Sequence, residues 1–156
     1  MNLSHNLSAC ALAFTLAACG GVTLYKTETN SWLEQRAGTP DYDISGKWIT
    51  ANSWSGNWGD ANFIQDGAKF YGQLGSYTVD GVMNGNQIYL TLTSGKRVYY
   101  TGLLKRENDG SYAGKIAEDL IIDSPNAETD GYQVMILERP KQSEQKTGPT
   151  PASRPL

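Results

Sequence analysis

The sequence predicts an all-β protein: a small antiparallel up-and-down β-barrel of about eight strands. Three observations lead there. Apolar and polar residues alternate with period two over short segments, as where Ile88, Leu90 and Leu92 interleave with Tyr89, Thr91 and Thr93. Turn signals recur at short intervals, at Asp66-Gly67, Asn84-Gly85-Asn86, Ser94-Gly95 and Asn108-Asp109-Gly110, and these residue types tolerate the positive φ of tight hairpins. An apolar residue, a central glycine two positions on, and a second apolar residue two further on recur at 70–74, 79–83, 100–104 and 112–116. Gly72, Gly81, Gly102 and Gly114 thus share a strand face with apolar neighbours. A mid-strand glycine weakens a flat sheet but permits the sharp coiling that closes a barrel, and closure removes exposed edges.

The elements follow in order. Residues 7–18 form an apolar segment of twelve residues, too short for a bilayer span of about 20 but fitting the apolar region of a signal peptide. Leu16-Ala17-Ala18 stand directly before Cys19. This resembles a bacterial lipoprotein signal, whose cysteine is acylated after the preceding residues are cut away. The resemblance implies a signal peptide at 1–18, a lipid on Cys19 and a place in the bacterial cell envelope. Gly20 after the cysteine, rather than Asp, points to the outer membrane facing the periplasm. The chain departs from the usual signal in having no Lys or Arg among residues 1–8. The alternative is a secretory signal cut after Ala18, which leaves a free thiol.

Residues 19–42 read as a tether with one short ordered piece. Ser31-Trp32-Leu33-Glu34 has capping-box spacing, so a one- or two-turn helix would start at Ser31 and end near Gly38, stopped by Thr39-Pro40. Trp32 and Leu33 would close one end of the main domain; a flexible linker is the other reading. The domain itself is 43–139, with strands at 45–51, 60–66, 68–75, 77–83, 86–93, 96–105, 111–122 and 131–139. Trp48, Phe70, Leu74, Leu90, Tyr100, Tyr112 and Met135 would compete for an interior just wide enough for side chains, so a filled core is expected. Residues 140–156 are polar and proline-containing and read as a disordered tail.

Gly46-Lys47-Trp48 lies at the start of the first strand and Arg139 at the end of the last. In this the chain resembles the calycin group (lipocalins, fatty-acid-binding proteins, avidins), where a Gly-x-Trp packs beneath an arginine from the chain's end. The resemblance implies a structural role for Gly46, Trp48 and Arg139: closing one mouth of the barrel.

Composition excludes several chemistries. Cleavage before Cys19 removes His5 and Cys10, leaving no histidine and one cysteine, which carries the lipid. A Ser-His or Cys-His nucleophile pair or a histidine metal site cannot then be built. The net charge of −3 argues against a nucleic-acid partner. Glu118, Asp119, Asp123, Glu128 and Asp130 read as a solvated acidic loop that matches no EF-hand. Asp60, Asp66 and Asp80, like Glu118 and Asp119, show no glycosidase signature. No catalytic residue, metal or cofactor is expected.

The expectation is a membrane-anchored, non-catalytic binding or interaction module with an envelope protein or glycan as partner. Trp54 and Trp58 lie in a polar, glycine-containing loop after the first strand, where a barrel mouth commonly carries binding groups; they could instead cap the core. Tyr71, Tyr89 and Tyr99 should point outward and could form an aromatic surface. The alternative is an inhibitor or immunity protein acting on a cell-wall hydrolase or toxin. Membrane-bound periplasmic lysozyme inhibitors are also small β-barrel lipoproteins. Ser94-Gly95-Lys96-Arg97-Val98 and Tyr99-Tyr100-Thr101-Gly102 loosely resemble their binding segments, although Val98 stands where an aromatic belongs and no Lys follows Thr101.

Overall fold

A computed structural model describes residues 23–51, 58–123 and 132–141. A two-residue strand, β1 (Leu24–Tyr25), leads into helix α1 (Lys26–Arg36). Eight strands follow: β2 (Gly46–Thr50), β3 (Asp60–Asp66), β4 (Lys69–Leu74), β5 (Tyr77–Asn84), β6 (Gln87–Ser94), β7 (Arg97–Arg106), β8 (Tyr112–Glu118) and β9 (Gln133–Glu138). Each pairs antiparallel with its sequence neighbour, and β2 pairs with β9 to close the circle. The protein is therefore a closed eight-stranded antiparallel barrel, compatible with a lipocalin-like fold, plus one added strand. β1 pairs with Val98 and Arg97 at the start of β7, on the edge that β8 leaves at Glu118.

The turns explain the register. Gly67, Gly85 and Gly95 sit at φ +60°, +58° and +62° in the β3–β4, β5–β6 and β6–β7 hairpins, the region L side chains disfavour. With the turns fixed, alternation sends one face of each strand inward. Phe63, Phe70, Leu74, Met83, Ile88, Leu90, Leu92, Leu104, Ile116 and Met135 fill the barrel and are almost wholly buried. Each such side chain contributes about 1.5–3 kcal/mol relative to exposure.

The N-terminal segment differs from a tether. Helix α1 begins five residues before Ser31, which lies exposed inside it. The carboxylate of Glu28 accepts a hydrogen bond from the Tyr25 backbone N–H at 2.9 Å, so the capping interaction uses Glu28 in place of the later Glu34. Pairing of Tyr25 with Arg97 holds Tyr25 extended, which forces the helix to start right after it. Beyond the helix, Gly38 N–H donates to Met83 O and Gly85 N–H to Thr39 O, tying the chain to the β5–β6 turn.

Trp32 and Leu33 do not plug a barrel end. They lie on its outer wall with Val82, Tyr89, Ala117 and Ile122 in a second core. Part of the acidic segment belongs to this layer: Asp123 accepts from Trp32 Nε1 and pairs with Arg36, each at 2.5 Å, while Asp119 pairs with Arg97. These carboxylates are struts rather than solvated charges. Glu128, Asp130 and the tail from 142 lie outside the described residues.

Candidate functional site

The two barrel ends differ. At one, the guanidinium of Arg139 lies over Trp48, whose Nε1 donates to Ile44 O at 2.7 Å. Arg106 lies over Tyr42 on the same side, and Trp48 meets Tyr112 edge-on at 5.5 Å. This is the end that the β3–β4, β5–β6 and β7–β8 turns surround, and the arginine-over-tryptophan geometry is the one the calycin resemblance implies. Both Trp48 and Arg139 have structural partners there.

The opposite end carries a different constellation. Trp58 stands just before β3. Close approach of two turns fixes its position: a Cβ on Gly59 would lie 2.9 Å from Gly75 Cα, and one on Gly75 would collide with Trp58 O. Gly75 N–H also donates to Asp60 O at 2.9 Å. Only a glycine pair lets the backbones meet so closely, and the indole is thereby set over the barrel mouth. Its ring meets Tyr100 edge-on at 4.9 Å and Tyr77 at 6.3 Å; Tyr77 in turn meets Tyr100 at 5.8 Å and Tyr99 at 6.0 Å.

Tyr99 and Tyr100 are adjacent, and in a regular strand they would point to opposite faces. A register shift at Leu92/Thr93 leaves Tyr99 without a ladder partner. Such a bulge re-aims a side chain, and here it lets both tyrosines contact Tyr77. Arg97, held by two bonds to Asp119 at 2.6 and 2.9 Å, lies 4.4 Å from the Tyr99 ring centre. Burial, with Glu118 second, pushes the Tyr100 hydroxyl above its usual pKa. The rim is thus a half-buried aromatic surface backed by a neutralised guanidinium. Among the described residues it offers ring faces and phenol hydroxyls, with the Trp58 Nε1 buried and unpartnered, and no side chain poised as a nucleophile.

The candidates from the sequence scatter around this rim. Trp58 is part of it and also packs on the core. Trp54 and Cys19 lie outside the described residues. Tyr99 joins the rim through the bulge. Tyr71 is 49% exposed on the outer wall opposite Ile64, and no ring contact among the described residues links it to the rim. Tyr89 points away from the interior, but it is not surface: α1 covers it to 7% exposure, with Trp32 edge-on at 6.0 Å. The expected three-tyrosine surface is therefore not assembled. Sequence reasoning missed Tyr77 at the rim, although its place directly after Gly75-Ser76 could have flagged it, and assigned Tyr100 to the interior alone. The inhibitor-like segment Ser94–Val98 forms the β6–β7 turn on this same end.

Other concavities lie on the outer wall and at the Arg139 end. One, of about 300 Å³, runs between α1 and β4–β5 and includes Lys26, Glu34, Tyr71 and Asp80. Another, of about 500 Å³, flanks Arg139 with Asp43, Arg106 and Asp109. Their charged groups are largely paired internally: Lys26 with Asp80 at 2.8 Å, Asp109 with Ser111 at 2.6 Å, Arg139 with two carbonyls. Among the described residues, no three His, Cys, Asp or Glu side chains are grouped to hold a metal ion.

Comparison with known proteins finds no matching family model, no matching curated protein and no matching solved structure.

Proposed function

We propose that the protein is a lipid-anchored, extracytoplasmic interaction module that works without catalysis, through the aromatic rim. The observation that carries this is the gathering of Trp58, Tyr77, Tyr99 and Tyr100 at one end of a barrel whose interior is occupied by its own side chains. A filled barrel holds a partner on its surface rather than in a cup, and aromatic rings supply large contact area at little conformational cost. The anchor rests on Leu16-Ala17-Ala18-Cys19. The alternative, inhibition of a cell-wall hydrolase, uses the same end, because the exposed Ser94-Gly95-Lys96 turn stands beside the rim.

Two measurements test the reading. Labelled fatty acid should enter the wild-type chain and not a Cys19→Ser variant; equal labelling of both overturns the anchor. A photo-crosslinking residue at position 99 should give envelope adducts in living cells, and one at position 42, on the far end, should not. Equal adduct yields from both ends overturn the rim as the recognition surface. A hydrolase among the position-99 adducts would favour the inhibitor alternative.

A further inference from the structure

We infer that the concavity at the Arg139 end binds a small zwitterion: a free amino acid or short peptide that presents both a carboxylate and an ammonium group. This goes beyond the aromatic rim and depends neither on it nor on the anchor.

Charge is the first argument. Arg106, Arg139 and Lys141 line this hollow against Asp43, Asp109 and Glu138. The six sum to zero, so neither a bare anion nor a bare cation gains from long-range attraction. Yet among the described residues none of the six forms an ion pair, whereas opposite charges elsewhere do meet, Lys26 with Asp80 and Arg97 with Asp119. The partners at this end are neutral. Ser45 donates its N–H to Asp43, and Ser111 donates its N–H and hydroxyl to Asp109. These serines hold both carboxyls below the usual carboxylate range, so they stay ionised. Arg139 lies on Trp48 and donates to two carbonyls, and Arg106 lies 3.9 Å from the centre of the Tyr42 ring. Charges of both signs are thus kept from each other in one hollow, and a ligand carrying both signs satisfies them together.

Geometry is the second argument. Arg106 lies two residues beyond buried Leu104 and opposite buried Tyr112 in the β7–β8 ladder, so it ends the inward face of β7. Arg139 stands likewise two residues beyond buried Leu137. β8 runs between β7 and β9, so the two arginines rise from backbones about 10 Å apart on either side of Tyr112. A guanidinium stacked on a ring is fixed in plane while its N–H edge stays open, which suits a carboxylate. Room is kept beside Arg106, because Gly110 has φ +87° and a Cβ there would lie 3.2 Å from Nη2. The buried Tyr112 hydroxyl has no partner, and the charges of Arg106, Arg139 and Asp43 all act on it. The mouth therefore holds a spare donor as well as spare charge. Glu138, whose side chain has no hydrogen bond or ion pair among the described residues, is the open acceptor for an ammonium group.

The test titrates the full chain, purified in a neutral detergent, with the dipeptide Ala-Ala. Amide resonances of Gly110 and Ser111 and the Trp48 indole N–H should shift in a saturable way, while the Gly75 amide at the other end stays still. N-acetyl-Ala-Ala and Ala-Ala-amide, each lacking one charge, should bind about tenfold more weakly. Arg106→Gln should weaken Ala-Ala by a similar factor. Glu138→Gln should weaken Ala-Ala but leave N-acetyl-Ala-Ala unchanged or tighter, an effect that general loss of structure would not produce. No saturable shift at 110 and 111 overturns the inference. Equal binding of Ala-Ala and its acetylated form, or tighter binding of inorganic phosphate, also overturns it, and leaves a plain anion site. Equal loss of both dipeptides in Glu138→Gln overturns the role of Glu138, and with it the zwitterion.

Discussion

The guanidinium carbon of Arg139 lies 3.9 Å from the centre of the Trp48 ring, while its Nη1 donates to Ser45 O at 2.8 Å and Lys47 O at 3.2 Å. One side chain from the last strand therefore holds the ring and the backbone of the first, near the β2–β9 seam that closes the barrel. A cation over an indole contributes about 0.5–2 kcal/mol and a hydrogen bond from a charged group about 1.5–3 kcal/mol. Arg139 is partly solvated, so the expected cost of Arg139→Ala is about 2 kcal/mol in urea unfolding. Arg139→Lys should recover less than half, since a lysine lacks the planar fork. A loss below about 0.5 kcal/mol for the alanine variant would show that the seam closes without this contact.

Trp32 is the keystone of the outer layer, with its ring edge-on to Tyr89 and its Nε1 on Asp123. Trp32→Ala should cost about 3 kcal/mol, as expected for a large buried ring. The loss should be local. Amide exchange in α1 should accelerate by orders of magnitude while β6 amides in the barrel keep their protection, because the two cores are separate clusters. Parallel acceleration in α1 and β6 would mean that the helix is needed for the barrel itself.

The hairpin order was legible because turn glycines and period-two alternation are local signals. All eight barrel strands fall within a few residues of their expected places. What alternation cannot show is what lies on the outer face. Tyr89 sits on the polar side of its strand by pattern, but the Trp32 ring that covers it is more than fifty residues away in sequence. The helix start was misplaced because only Ser31–Glu34 carries a capping-box spacing; β1 pairing, a long-range contact, sets the backbone of Tyr25, and Glu28 caps there instead. The rim depended on a bulge at Leu92/Thr93, which no turn residue or composition signal announces. Trp58 was found as a loop tryptophan, but its neighbours Tyr77 and Tyr100 came together only through closure of the barrel.

Tyr112 is 1% exposed, and its hydroxyl is buried with no hydrogen-bond partner among the described residues. Burial pushes its pKa up, with Arg106 and Arg139 opposing. A folded value above the unfolded value of about 10 means the neutral phenol is favoured in the fold. That stability is fully present below the unfolded value and is lost as pH rises through the folded one. Tyr112→Phe should flatten the alkaline limb of the stability profile, and should raise stability near neutrality by up to about 1 kcal/mol by removing an orphaned hydroxyl. Tyr100, raised by burial and Glu118, contributes to the same limb. Equal alkaline limbs in wild type and the Tyr112→Phe, Tyr100→Phe double variant would contradict this assignment.

Gly81 and Gly114 share one sequence pattern, but different physics excludes a side chain at each. A Cβ on Gly81 would run into the Phe70 ring, whereas one on Gly114 would run into Leu103 O and the Leu104 Cα, which are backbone. A ring can yield its place and a strand in a closed barrel cannot. Gly81→Ala should cost about 1–3 kcal/mol through overpacking, and Phe70→Leu should recover a good part of it, giving a favourable coupling in a double-mutant cycle. Gly114→Ala should cost more, because relief requires moving β7 away from β8, and with it the pairing of Leu104 to Gly114. No single side-chain truncation on the inward face should rescue it. Recovery of Gly114→Ala by Ile116→Val, measured by urea unfolding, would show that the obstruction is side-chain crowding after all, and that the glycine there does not mark a point where the sheet coils too tightly for a Cβ.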